Sequence, residues 1–246
     1  MYKAGVMTTP AELTQWSTTA INLPDHADNI IHTDAGARAA GFPGALVAGT
    51  TIYAYMTHPP AVAWGVEWLS HGGGELNLRR PVFDNDLVDC VISSEQGDPV
   101  VSASVSGEAK SSVRLWKNLE APTIRDGERL KPLQVQLGDE HIDYALRCGD
   151  DLALYAEQQI AHPVTWTQLA NQVFIDNLVT GPWIHVRSKI YHEGLAKIGS
   201  RVRVESTLVD RFDSRAGERA LVDMRIYADE QPVATVEHEA VIVLAS

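Results

Sequence analysis

The sequence predicts an α+β fold built from two related halves, each a long helix held against an antiparallel sheet. Three observations carry this. The last third alternates apolar and polar residues with period two between short turns. A helix-spaced apolar segment precedes it, and the first half runs through the same order of elements.

In chain order, a helix is expected over 50–57, stopped by Pro59-Pro60, because proline lacks the N–H that a helix interior needs. A strand follows over 75–82. Two more, over 87–94 and 100–106, flank the turn Gln96-Gly-Asp-Pro99, and a last one lies over 113–116. The polar stretch Glu120-Ala-Pro-Thr-Ile-Arg-Asp-Gly-Glu reads as a linker, which places a boundary near residue 125 and divides the chain into 1–125 and 126–246. In the second half, Thr165-Trp-Thr-Gln168 matches a capping box. Leu169, Ala170, Val173, Phe174 and Leu178 continue it at helical spacing until Gly181-Pro182.

A strand begins at Trp183, and three alternating strands follow. Val202, Val204, Ser206 and Leu208 share one face of the first, and Val222, Met224 and Ile226 one face of the second. Val236, Ala240, Ile242 and Leu244 share a face of the third. Asp213-Ser-Arg-Ala-Gly and Asp229-Glu-Gln-Pro read as the hairpin loops between them. Gly65-Val-Glu-Trp68 after the first helix and Gly181-Pro-Trp183 after the second add a weak local likeness, so the halves read as a duplication. Each half alone would expose a sheet edge, so the two are expected to pair into one sheet.

The formal net charge of −12, with no basic cluster longer than Arg79-Arg80, argues against a nucleic-acid partner. No stretch is long and apolar enough for a membrane helix, and the opening Met1-Tyr-Lys-Ala-Gly-Val-Met has no signal core. Cys90 and Cys148 have neither a CxxC partner nor a His at ligand spacing, so no metal is expected. The reading is a soluble cytoplasmic protein.

The segment with chemical content runs from Asp28-Asn29-Ile-Ile-His32-Thr33 to Gly41-Phe-Pro-Gly44 and on to Gly49-Thr50. Thr33 can cap a short helix that ends at Gly41. Gly49 falls at the start of the long helix, where a free N–H and the positive helix end suit the oxygen of a polarised carbonyl. His32 with the nearby Asp28 can activate water.

This segment resembles the signature of the MaoC-like (R)-specific enoyl-CoA hydratases and dehydratases, which are hotdog proteins. Their motif is Gly-Asp-x-Asn-Pro-x-His, followed by a short helix, Gly-(Phe)-Pro-Gly and a His-Gly or similar pair that opens the central helix. Asn29, His32, Gly41-Phe-Pro-Gly44 and Gly49 match it. The resemblance implies a double hotdog in which His32 is the acid/base, Asn29 a positioning residue and Gly49 the oxyanion donor. Asn29 and Thr50 are then expected at the substrate, with no cofactor. Its substrate would be an acyl thioester of coenzyme A or acyl carrier protein.

The family's aspartate position is Ala27 here, and its proline is Ile30, which leaves Asp28 or Asp25 as the carboxylate. A second, fainter copy has Gly149-Asp150 at the motif opening and Tyr155 at the histidine position, so the second half is expected to be non-catalytic. His58, His185 and His192 read as structural or solvent-facing, and His238 as a satisfied core or interface group. Trp68, Trp166 and Trp183 read as core or pocket wall. Arg79, Arg80 and Arg187 are candidates for coenzyme A phosphates but more ordinarily surface charges. The expected activity is a hydro-lyase, with an acyl thioesterase and a non-catalytic acyl-binding protein as alternatives. A monomer and a homodimer both suit such a chain.

Overall fold

The computed structural model describes residues 12–245, so the opening segment read for a signal core lies outside it. The first half contains β1 (Trp16–Thr19), α1 (Asp34–Ala39), α2 (Gly49–His71), β2 (Gly72–Leu78), β3 (Leu87–Glu95), β4 (Asp98–Val105) and β5 (Glu108–Lys117). After an irregular connection come β6 (Glu128–Arg129), β7 (Leu133–Gln136), α3 (Glu140–Arg147), α4 (Leu154–Gln158) and α5 (Val164–Asn177). The chain closes with β8 (Ile184–His192), β9 (Arg201–Ser214), β10 (Gly217–Ala228) and β11 (Gln231–Leu244).

All the strands belong to one sheet, in the order β1-β3-β4-β5-β2-β8-β11-β10-β9-β6, with β7 also on β9. The halves meet where β2 pairs antiparallel with β8, from Gly73 opposite Tyr191 to Asn77 opposite Arg187. Gly73 permits this contact. It has φ 150°, and a Cβ there would stand 2.0 Å from the Ile190 carbonyl oxygen. The tight β3–β4 and β10–β11 turns run through Gln96-Gly97 and Asp229-Glu230, all at positive φ, as two-residue hairpins require. The sheet wraps α2 and α5, and a continuous apolar core joins both halves.

Two helix expectations are corrected. Helix α2 does not stop before Pro59-Pro60 but continues to His71, broken only at Gly65 (φ 53°, ψ −142°). Every residue from Thr50 to Ala61 is buried. The enclosing sheet therefore outweighs a local proline penalty of about 3 kcal/mol. Proline at 59 deprives the Tyr55 carbonyl of its helical donor, and the Cys90 thiol takes that place at 3.3 Å. Helix α5 begins at Val164, so Thr165 lies inside it rather than capping it, with its hydroxyl unpartnered. Instead His162 Nδ1 accepts the Val164 N–H at 3.0 Å. The elements β1, β6, β7, α3 and α4 were not expected, although α3 is amphipathic, with Ile142 and Ala145 buried at helical spacing and Asp143 and Arg147 exposed. No helix among the described residues is long and apolar enough to cross a membrane.

Candidate functional site

The strap between β1 and α2 is pinned at several points. Thr33 caps α1 as its sequence suggests, accepting the Gly36 N–H at 3.2 Å. The Asn22 amide donates to the His32 carbonyl at 2.9 Å. The Asn29 amide donates to the Trp183 carbonyl at 2.9 Å, which ties the strap to the second half. Asp34 accepts the Ala45 N–H at 3.0 Å and so fixes the Phe42-Pro43-Gly44 turn.

Beneath the strap lies a cavity of about 390 Å³ lined by both halves. Ile31, Phe42, Leu46, Ile52, Ile175 and Trp183 give it an apolar wall. Asp28, Asn29, His32 and Gly49 all line it, together with Asp25. Thr50 does not: it is fully buried and absent from the wall, because its side chain leaves the helix on the core side.

Gly49 is the first residue of α2, so its N–H has no acceptor within the helix. The N-cap is Ala48, which has no side-chain oxygen to occupy the free donors. The positive end of a long helix therefore opens on the cavity. His32 Nδ1 lies 2.8 Å from the Leu46 carbonyl oxygen, which can only accept. Nδ1 therefore carries the proton, and the neutral ring keeps a lone pair on Nε2. Burial holds the His32 imidazole below its ordinary pKa, so the neutral form is favoured. Both oxygens of Asp25 are held by Arg147 at 2.8 Å. Asp28 is exposed and makes no side-chain hydrogen bond or ion pair among the described residues, so it is the uncommitted carboxylate of the two.

Two further histidines line the cavity that the sequence did not single out as functional. His26 meets the Tyr144 hydroxyl at 3.0 Å, which meets Thr51 Oγ1 at 2.7 Å. Burial, with His32 nearby, pushes its pKa down to about 4. His185 comes from β8, across the joint between the halves, and is 7% exposed. Its Nδ1 has no partner and lies 3.4 Å from where a Gly49 Cβ would be. Burial lowers its pKa to about 3. A lone histidine on a strand carries no sequence signal for this role, because only the β2–β8 pairing brings it to the start of α2.

No protein-family model matches the chain, and neither does any curated protein. Solved structures do match. A conserved hypothetical protein of Mycobacterium tuberculosis with a double hotdog fold superposes with TM-score 0.65 at 10% identity, over 93% of this chain and 96% of that one. The fold is a double hotdog. A MaoC-like dehydratase matches with TM-score 0.62 at 12% identity, over 93% and 98% of the two chains. A Lactobacillus plantarum protein provisionally assigned as an oleoyl thioesterase matches with TM-score 0.53 at 9% identity, over 97% and 100%. Identities this low establish the fold.

In this double hotdog the second motif copy is packed shut. Tyr155 is buried, with its ring centroid 4.5 Å from that of His162. Asp150 is buried too, its Oδ1 accepting the Leu152 N–H at 2.8 Å. His58, Asp150 and Asp151 are close enough to suggest a cation site, but His58 Nε2 is 3.0 Å from Asp151 Oδ1 and spent on it. The neighbouring His162 offers no lone pair from Nε2, since its Nδ1 is the acceptor for Val164. The open cavity between the halves thus combines free helix N–H groups, a neutral imidazole lone pair and an apolar wall.

Proposed function

We propose that this chain is a cytoplasmic hydro-lyase that adds water to a 2-enoyl thioester of coenzyme A, or removes it from the 3-hydroxyacyl thioester. The observation that carries this reading is the fixed tautomer of His32: the Leu46 carbonyl holds the proton on Nδ1 and leaves Nε2 as a base beside the Gly49 helix end. In the hydration direction, Nε2 takes a proton from water as the water oxygen bonds to the β-carbon. The π electrons move onto the thioester oxygen, which Gly49 N–H stabilises as an enolate. The proton on His32 then passes to the α-carbon, so that one water is added in all. Asp28 and Asn29 orient the water. The exposed Arg79 and Arg80 at the cavity mouth suit the phosphates of coenzyme A. Two buried, unpaired cysteines fit a reducing compartment.

A hydrolytic reading has its own support: Asp28 is uncommitted and the same helix end would polarise a thioester for attack at the carbonyl carbon. The two separate in one experiment. A panel of 2-enoyl-CoA thioesters is followed by loss of enoyl absorbance beside a thiol-release assay, for the wild type and His32→Ala. Loss of absorbance without thiol, abolished in the variant, is the expected result. Thiol release would replace hydration with hydrolysis, and no change in either signal would leave a non-catalytic acyl-binding protein.

A further inference from the structure

His185 Nε2 lies 2.8 Å from Ser188 Oγ, and Ser188 Oγ lies 2.8 Å from His238 Nδ1. Ser188 and His238 are wholly inaccessible to solvent. The outer atoms of this chain, His185 Nδ1 at the cavity wall and His238 Nε2 in the core, both lack partners. The imidazoles stack with centroids 4.1 Å apart, and burial keeps both neutral.

A hydroxyl between two neutral imidazoles gives one hydrogen and receives one, so only two proton arrangements are available. In the first, His185 Nε2–H donates to Ser188, and Ser188 donates to His238 Nδ1. This strands an N–H on His238 Nε2 in the apolar core, against the Phe174 ring 4.9 Å away. In the second, His238 Nδ1–H donates to Ser188, and Ser188 donates to His185 Nε2. A lone pair is then stranded in the core, and the N–H appears on His185 Nδ1, which is buried and without a partner in the empty site but stands at the cavity wall. An orphaned buried N–H is the costlier defect, and each arrangement leaves one in the empty site; only the N–H on His185 can be satisfied by a ligand oxygen entering the cavity, which selects the second arrangement once the site is filled.

The donor so produced stands beside Gly49. The point a Gly49 Cβ would occupy is 3.4 Å from His185 Nδ1 and 2.4 Å from Leu78 Cδ1. The end of the Leu78 side chain therefore covers this spot in the empty site, and rotation of that flexible end opens it. We propose that His185 is a second oxyanion donor of the thioester site, its Nδ1–H joining the Gly49 N–H on the thioester oxygen, with Ser188 and His238 as positioning residues that fix the required tautomer. The inference rests on the thioester reading above and assigns a catalytic group to the second half of the chain.

The first test needs no turnover. Nitrogen-15 NMR of the histidine rings assigns each tautomer. His185 protonated on Nδ1 and bare on Nε2 is expected in the wild type with a 2-oxoalkyl thioether of coenzyme A bound, and loss of that preference in Ser188→Ala. The opposite tautomer in the liganded wild type overturns the proposal. The second test is kinetic. His185→Phe should lose about 10²–10³-fold in kcat with KM within about threefold, the scale for one lost oxyanion donor. His185→Asn, which can place an amide N–H near the Nδ1 position, should recover at least about tenfold over His185→Phe. A folded His185→Phe protein with wild-type kcat overturns the proposal.

The third test separates this inference from hydration. A 2-oxoalkyl thioether of coenzyme A has a ketone in place of the thioester carbonyl and cannot be hydrated or cleaved. Its carbonyl stretch should shift down on binding to the wild type, and less on binding to His185→Phe. If that holds while no enoyl thioester is turned over, hydration falls and the donor stands. Equal shifts overturn the donor, and failure of the ketone to bind the wild type overturns both.

Discussion

Replacing Gly49 with alanine isolates the chemistry of the α2 end from the stability of the fold. The new Cβ would meet Leu78 Cδ1 at 2.4 Å and His185 Nδ1 at 3.4 Å. The first is an impossible contact, but with the free end of a leucine, which can rotate. The second requires no movement. Displacing Leu78 places the substitution at the low end of overpacking costs, about 1 kcal/mol. Alanine is the better helix former by up to about 1 kcal/mol, which offsets it. Net stability should thus change by no more than about 1 kcal/mol, or about 2–4 °C in Tm. Activity should not be spared. The methyl and the displaced Leu78 end occupy the space where a thioester oxygen would reach the N–H, and an ångström of misplacement costs on the order of 10²-fold. The assay is kcat/KM on an enoyl thioester beside thermal unfolding, with Gly44→Ala as control, since a Cβ there has only an ordinary contact with Asp34 Oδ1 at 3.5 Å. A Gly49→Ala protein that melts normally and keeps kcat/KM within threefold refutes the placement of the carbonyl at this helix end.

Three other outcomes follow from particular contacts. Burial pushes His192 down to about 4, so between an unfolded pKa of about 6.5 and that value the native state binds fewer protons than the unfolded chain. Its contribution is full above the unfolded value and fades as pH falls through this window. Urea unfolding should therefore show His192→Gln losing roughly 2 kcal/mol less than the wild type between pH 7 and pH 5, and equal losses would contradict it. Cys90→Ala should cost about 1–2 kcal/mol by removing a buried thiol and the donor to the Tyr55 carbonyl. Pro59→Ala restores a helical donor to that carbonyl, so a double-mutant cycle should show the two changes coupled, and strict additivity would disprove the substitution of one donor for the other. Finally, Arg79→Ala should raise KM for a coenzyme A thioester several-fold while leaving the matching pantetheine thioester unchanged, and equal effects on both would remove Arg79 from phosphate binding.

The sheet was legible from the sequence wherever one face is buried and the other wet, as along Val202, Val204 and Ser206. Strict alternation leaves a strand no choice of face. The extent of α2 was not legible. Pro59-Pro60 is a local stop signal, and what overrides it is a sheet whose nearest contributing strand begins only at Gly72 and whose Cys90 supplies the missing donor. The strap residues His32, Asn29 and Gly49 could be picked out because they sit at fixed spacing within one stretch of chain. Their grouping around one cavity, with Asp28 free and Asp25 held by Arg147, required the fold. His185, Ser188 and His238 had no such spacing. They lie on strands that also carry ordinary alternation, and their alignment into a chain depends on the β8–β11 register that sets Ser188 opposite His238.

The β2–β8 joint also bears on how such a molecule can change over time. A pair of identical subunits built on this plan would contain two equivalent cavities, and any substitution in one would be imposed on the other. Here the two positions are encoded separately but share a single sheet. Tyr155 and His162 can fill one of them while His32 and Gly49 keep the other open. The closed position is then free to serve as support, contributing packing beneath the open one without having to admit a ligand of its own. A single chain thus permits a division of labour that a symmetric pair of identical subunits does not.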